Sequence, residues 1–186
     1  MRQALGVDFS SLRIQNRNAK SFSQNFRRIQ MPPTNQKTAP ADTGTREDLI
    51  KSLNGDLARE FQAIIAYVVY SQVLKGAEYM NIAGELEKHA SEELQHALTI
   101  AKQIDYLGGT PTVQPEPVKS TEDNKEMLRA DLNNENETIK NYRLRIRQCE
   151  QLGEFATAEL IREILIEEQD HQIALAMALG IDPPKL

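Results

Sequence analysis

The sequence predicts an all-α fold, an antiparallel four-helix bundle with one long crossover between its second and third helices, preceded by a flexible N-terminal arm. Three observations carry this. Apolar residues recur every three or four positions through four long stretches. Two of the links between these stretches are short and one is long. The second half of the chain repeats the first at an offset of 75 residues. Composition agrees: 40 % of the 186 residues are hydrophobic, 26 % charged and 5 % aromatic, with no Trp, which suits packed helices better than a β-sandwich.

Residues 1–44 are rich in Ser, Asn, Gln and Arg, lack a sustained apolar period and end in the Pro/Thr-rich stretch from Met31 to Gly44. They are expected to form a disordered arm, with the bundle over residues 45–186. Residues 1–45 hold seven Lys/Arg against two Asp, and the remainder holds 15 against 25. The formal charge of −5 therefore conceals an arm near +5 and a body near −10, a split typical of two segments with different partners.

The first helix is expected from Thr45, with Asp48 three residues on and Glu47 beside it at the positive helix end, and runs to about Leu74. After Gly76 the second spans about Glu78 to Leu107, where Gly108, Gly109 and Pro111 supply a stop. Thr110 to Ser120 has the length of a crossover. The third helix is expected from about Thr121 to Gly153. The fourth runs from Glu154 to Leu179, ended by Gly180 and the Pro183-Pro184 pair. No apolar run reaches the roughly 18–20 residues of a bilayer span, so a soluble cytoplasmic protein with no membrane partner is expected. The single cysteine, Cys149, excludes an internal disulfide or a four-cysteine metal site within one chain and is read as a small core residue.

The repeat pairs Asp56-Leu57-x-x-Glu60-x-x-x-Ile64-x-x-Tyr67 with Asp131-Leu132-x-x-Glu135-x-x-x-Ile139-x-x-Tyr142. The same offset pairs Glu92-Glu93-x-x-His96 with Glu167-Glu168-x-x-His171. The polar positions interrupt apolar rows. Leu49, Leu53, Leu57, Glu60, Ile64 and Tyr67 follow one helical stripe, Ile82, Leu86, His89, Glu93, His96 and Ile100 a second, and Leu160, Ile164, Glu168, His171 and Leu175 a third. On the remaining helix the stripe is Leu128, Asp131, Glu135, Tyr142 and Ile146.

A lone Glu-x-x-His on a helix is ordinarily a solvated pair. Two copies on apolar stripes, each 33 residues after a stripe glutamate, bring four carboxylates into one core layer, where their repulsion demands compensation. Two divalent cations balance four carboxylates, and two neutral imidazoles complete the donor set. Glu60, Glu93, His96, Glu135, Glu168 and His171 are the candidate metal ligands. Oxygen-rich ligation with one imidazole per ion suits two iron ions per subunit, with manganese as the alternative.

These residues resemble the bacterioferritins, over about Thr45 to Leu179. Met127-Leu128-Arg129-Ala130-Asp131-Leu132 before Glu135 and Leu107-Gly108-Gly109-Thr110-Pro111 after the second helix add to the likeness. One glutamate from each of two helices with Glu-x-x-His from the other two is the known arrangement of ferritin-like di-metal proteins. The resemblance implies a ferritin-like bundle with Glu60 and His96 on one iron, Glu135 and His171 on the other, and Glu93 and Glu168 bridging. It also implies that Tyr67 stands beside the centre as a catalytic residue able to supply an electron or a hydrogen bond, with Tyr142 as its repeat partner.

Three departures qualify the resemblance. Leu94 occupies the place of the methionine that grips haem in the family, so haem is not expected. The chain ends at Leu186, before the family's short fifth helix, so a homo-oligomer is expected while a closed cage is compatible rather than implied. His89 replaces an acidic residue one turn before Glu93 and is read as a hydrogen-bonded core or cavity-facing histidine, with receipt of iron in transit or gating of access to the centre as the alternative. Glu92 is read as an ordinary exposed charge, with an iron-path carboxylate as the alternative, and Asp56 and Asp131 as groups that orient the histidines.

The function expected is a ferroxidase that oxidises Fe(II) to Fe(III) with O2 or H2O2 for iron storage and detoxification. Two alternatives stand beside it. A rubrerythrin-like peroxidase without storage would need a carboxylate three residues after Glu135, where Thr138 stands, and usually a four-cysteine domain. A DNA-protecting ferritin would bind phosphates through the basic arm. That arm also has the composition of a transit peptide or of an extension upstream of a start at Met31; a tail without a dedicated partner is the working expectation.

Overall fold

A computed structural model describes residues 44–186. The arm expected over residues 1–44, with its nucleic-acid and targeting alternatives and the start at Met31, lies outside the described residues but for Gly44. The described chain is helical: α1 (Arg46–Val73), a 3-10 turn (Ala77–Tyr79), α2 (Met80–Tyr106), α3 (Asn124–Leu152) and α4 (Phe155–Ala178).

Thr45 opens α1 by a reciprocal cap. Its hydroxyl accepts from the Asp48 backbone amide while the Asp48 carboxylate accepts from the Thr45 amide at 2.9 Å. The third helix begins later than expected. Thr121 Oγ1 accepts from the Asp123 amide and bends the chain, and Asp123 then caps α3 by accepting from Glu126 N at 2.8 Å. Gly153 ends α3 at φ 77°, a left-handed conformation that favours glycine. Gly109 is required for a different reason, since a Cβ there would stand 2.5 Å from Ile50 Cγ2.

Helix α1 packs mainly on α2 and α3 mainly on α4, while α1–α3 and α2–α4 contacts close the bundle. Asp56 meets Arg145 while Tyr67 meets Glu135, and Glu92 meets His171 while His96 meets Glu167, so both closing pairs run antiparallel. The crossover is strapped along α1: Thr112 N donates to Asn54 Oδ1 at 2.6 Å, Glu116 N to Ala58 O at 2.9 Å, Gln62 to Pro117 O and Tyr70 to Lys119 O. Asn54, Ala58 and Gln62 are about one turn apart and Tyr70 lies two turns further on, so the long link is held along α1.

The apolar core forms two clusters. One contains Leu49, Leu53, Leu57, Ile100, Ile104 and Ile161; the other Tyr70, Leu86, Met127, Leu128 and Leu175. The charged layer lies between them in sequence on every helix. Cys149 is buried in the first cluster. Leu160 is only half-buried; Ala158 and Ile161 fill the α4 stripe in its place and continue at three- and four-residue spacing through Ile164, Glu168 and His171.

Candidate metal centre

Each helix delivers its polar group by continuing an apolar stripe one turn too far. On α1, Glu60 follows Leu57 by three residues, and on α3, Glu135 follows Leu128 and Asp131. The i, i+3 spacing in Glu93–His96 and Glu168–His171 puts each carboxylate and imidazole on one helix face. All six are at most 3 % exposed.

Their donor atoms gather into two quartets, Glu60–Glu93–His96–Glu168 and Glu93–Glu135–Glu168–His171, within each of which the atoms lie inside 4.8 Å of one another. Glu93 and Glu168 belong to both. His96 Nδ1 stands 3.0 Å from Glu93, 3.3 Å from Glu168 and 3.5 Å from Glu60. His171 Nδ1 stands 2.9 Å from Glu93 and 3.3 Å from Glu168, off the line of a hydrogen bond in both cases.

Glu60 Oε2, Glu93 Oε1, both oxygens of Glu168 and His171 Nδ1 are buried without hydrogen-bond partners. Five unpartnered polar atoms in one core are costly to a folded protein. They fit divalent cations, which take lone pairs from several oxygens and one imidazole at once.

Electrostatics divide the four carboxyls by pairs. Burial raises Glu60 and Glu135 well above the usual carboxylate range, reinforced by the charges of Glu93 and Glu168. Burial pushes Glu93 and Glu168 the same way, but the two imidazoles outweigh it and both end lowered. For His96 and His171, burial favours the neutral ring and the surrounding carboxylates overcome it; His96 is strongly raised and His171 is pushed up to about 12. Without cations, the layer therefore draws protons toward the two imidazoles and toward Glu60 and Glu135, and away from Glu93 and Glu168.

The tyrosines are arranged as a mirrored pair. Tyr67 OH donates to Glu135 and Tyr142 OH to Glu60, both rings being fully buried. Each hydroxyl thus grips the carboxylate of the opposite repeat. Burial and the neighbouring carboxylates raise both phenols well above their usual value, so each remains a hydrogen-bond donor.

Asp56 and Asp131 do not orient the histidines. Asp56 is taken by the Arg145 guanidinium at 2.6 and 3.2 Å, and Asp131 Oδ2 has no partner. The outer ring nitrogens go instead to glutamates of the facing helix: His171 Nε2 to Glu92 at 3.0 Å and His96 Nε2 to Glu167 at 2.9 Å. Glu92 is therefore no ordinary surface charge. The signal was present in the repeat, where the first glutamate of Glu-Glu-x-x-His recurs in both copies. Thr138, where a peroxidase-type carboxylate would stand, meets Arg59 Nε at 3.4 Å.

A helical bundle that closes its core around a layer of four carboxylates and two imidazoles defines the class of carboxylate–histidine metal proteins built on four helices. Residues 50–180 match the family model of the ferritin-like domain. A bacterioferritin of Desulfovibrio desulfuricans is 33 % identical over 133 residues, covering 69 % of this chain and 74 % of the relative. The chain belongs to the ferritin-like family, among the bacterioferritins.

Solved structures agree. A ferritin-like diiron-carboxylate protein from Bacillus anthracis superposes with a TM-score of 0.70 at 34 % identity, covering 75 % of this chain and 99 % of that one. A dodecameric thioferritin, the bacterioferritin-related protein of Bacteroides fragilis, gives 0.68 at 27 % identity, with 73 % and 86 % covered. No helix among the described residues is long and apolar enough to cross a membrane.

Proposed function

We propose that this chain is a ferroxidase that binds two Fe(II) ions as substrate and oxidises them to Fe(III) with O2 or H2O2, for iron storage and detoxification. The observation that carries the reading is the pair of quartets sharing Glu93 and Glu168. Glu60 and His96 would hold one ion, Glu135 and His171 the other, and the shared glutamates would bridge. Each ion gives up one electron; O2 takes two on its way to peroxide, and H2O2 takes two to become water.

The protein's own groups position this chemistry. Four carboxylates opposite two divalent cations give a neutral layer, so loading needs no further counterion. Tyr67 and Tyr142 each hold one oxygen of Glu135 and of Glu60, which sets carboxylate orientation. Tyr67 also lies edge-on to His171 with centroids 6.2 Å apart, near enough to pass an electron to the site. The single thioether position of the family's haem pocket is Leu94, about half-exposed on α2, so no haem is part of the proposal.

Exposed Ile65, Val68, Val69, Leu94 and Leu98 on α1 and α2 supply apolar surface for association with further copies, in keeping with the dodecamer formed by the Bacteroides relative. The test loads the metal-free protein with Fe(II) under anaerobic conditions, then mixes it with O2 or H2O2 and counts iron and particle mass. Rapid oxidation of a pair of ions per subunit supports the reading. Oxidation no faster than in buffer, or one ion per subunit, would overturn it. Iron held far beyond the pair, inside a large particle, distinguishes storage from a peroxidase.

A further inference from the structure

The internal repeat breaks between α1 and α3. Asp56 and Asp131 are equivalent, each one turn before a glutamate of the charged layer, but Arg145, which meets Asp56, has Tyr70 as its own equivalent. One half of the bundle thus gives its buried aspartate a guanidinium at 2.6 and 3.2 Å, and the other half gives none. Asp131 is 2 % exposed and its Oδ2 makes no hydrogen bond. Such a carboxyl is costly to ionise. Burial, with the charge of Glu93 on α2, raises it well above the usual aspartate range.

Two tyrosines of α1 flank Asp131. Tyr67 meets Glu135, one turn further along α3, and because the two helices are antiparallel the next turn of α1, which carries Tyr70, stands level with Asp131. The Asp131 charge accordingly bears on both phenols. Their other sides differ. Tyr67 is sealed in the core with its hydroxyl on Glu135. Tyr70 donates to Lys119 O and lines a cavity of about 730 Å³ between the end of α1, the crossover and the start of α3. Exposed Val73, Lys75, Lys119 and Ser120 on its wall open it to solvent.

We propose that Asp131 is a proton-relay residue, set between the solvent cavity at Tyr70 and the charged layer at Tyr67. The Asp131 Oδ2–H bond breaks as the Tyr67 oxygen accepts that proton. Tyr67 passes its own proton to Glu135 Oε1, and from there it reaches the oxygen that Fe(II) reduces. The Asp131 carboxylate then recovers a proton from Tyr70, which takes one from cavity water. One proton moves from solvent to reduced oxygen, both phenols end as they began, and the electrons come from Fe(II). Asp56 cannot serve in this way, since Arg145 engages both its oxygens, so protons arrive on the Tyr67 side. The proton's destination rests on the ferroxidase reading; the proton held by Asp131 does not.

Asp131→Asn keeps the shape of the side chain and loses the transferable proton, whereas Asp131→Glu keeps the acid. In the metal-free full chain near neutral pH, the infrared difference between unaltered protein and Asp131→Asn should contain a protonated-carboxyl band. Equilibrium dialysis with Co(II), a redox-quiet probe, should show Asp131→Asn still binding the pair of cations. Its initial Fe(II) oxidation should nevertheless slow by about 100-fold, with a smaller rate difference between H2O and D2O, and Asp131→Glu should regain most of the rate. The proposal is overturned if the infrared difference lacks that band, or if Asp131→Asn oxidises Fe(II) within a factor of two of the unaltered chain. Should Asp131→Asn fail to fold, Tyr70→Phe decides: it removes the hydroxyl between Asp131 and the cavity, and an unchanged rate and isotope effect would overturn the route. An unaltered chain that oxidises Fe(II) no faster than buffer would instead sink the ferroxidase reading and the proton's destination with it, while the infrared band still decides whether Asp131 holds a proton.

Discussion

Glu167 on α4 lies 2.9 Å from Nε2 of His96 on α2, so the outer nitrogen of this histidine is tied to a helix other than its own. The tie holds the ring's orientation and aims Nδ1 at the three carboxylates around it. Groups in this position typically change metal affinity by about 10–100-fold. Glu167→Ala should therefore weaken binding of one cation of the pair by about that factor. Calorimetric titration with Mn(II) measures it, and unchanged affinity at both positions would remove Glu167 from the site.

Glu93→Ala and Glu168→Ala should each abolish rapid Fe(II) oxidation, because both quartets lose a member at once. Several kcal/mol of charge stabilisation is at stake, so the initial rate should fall by about 100-fold or more. Stopped-flow absorbance reads the rate. A mutant within a factor of two of the unaltered chain would contradict the shared role of these residues.

Glutamine substitution should separate the carboxyls into two classes in the metal-free protein. Glu60 and Glu135 are raised toward the protonated form, which a neutral amide imitates, so Glu60→Gln and Glu135→Gln should change stability by less than about 1 kcal/mol. Glu93 and Glu168 are lowered by their imidazole partners. Removing either charge strands an imidazolium in the core and should cost about 3–5 kcal/mol. Urea unfolding in the presence of a chelator checks this, and equal effects across all four would refute the division.

Proton linkage has a definite sign. A folded pKa above the unfolded value means stability that is complete below the unfolded value and lost as pH rises toward the folded one. Glu60 and Glu135 are raised by burial and by neighbouring carboxylates, and His96 and His171 are raised by carboxylates that overcome their burial. The lowered pair, Glu93 and Glu168, loses its contribution as pH falls below the ordinary carboxylate value. From these six groups, metal-free stability should peak near that value and decline above it. The decline steepens above pH ~6.5, by about 1.4 kcal/mol per pH unit for each ring. Loading the pair with Mn(II) near pH 7 should release protons, because the cations displace them from groups whose protonated forms the metal-free core favours. Melting curves across pH and proton-release titration test both; a metal-free melting temperature that rises from pH 6.5 to about 8.5 would contradict the assignment.

The helices and the six core polar residues were legible in the sequence because both follow from local periodicity. A residue three or four positions from a leucine stripe shares its face whatever the rest of the fold does, and Thr45 with Asp48 caps α1 with atoms only three residues apart. The 75-residue repeat then says that what holds for α1 and α2 holds for α3 and α4. Even the late start of α3 is local, since it turns on whether Thr121 or Asp123 takes the cap.

Which side chains meet across helices was decided only by the tertiary structure. The spacing of Asp56 placed it one turn from Glu60 but could not say that Arg145, 89 residues away, would take it from the histidines. Glu92 and Glu167 sat in plain view as repeated residues, yet their pairing with the histidine of the opposite helix depends on how α2 and α4 cross. The same holds for Tyr142 reaching Glu60 and for His89 stacking on His171. Periodicity assigns a face to each residue, whereas a hydrogen bond or a shared cation requires distances of a few ångströms between helices, and those are set by the packing of two apolar clusters on either side of the charged layer.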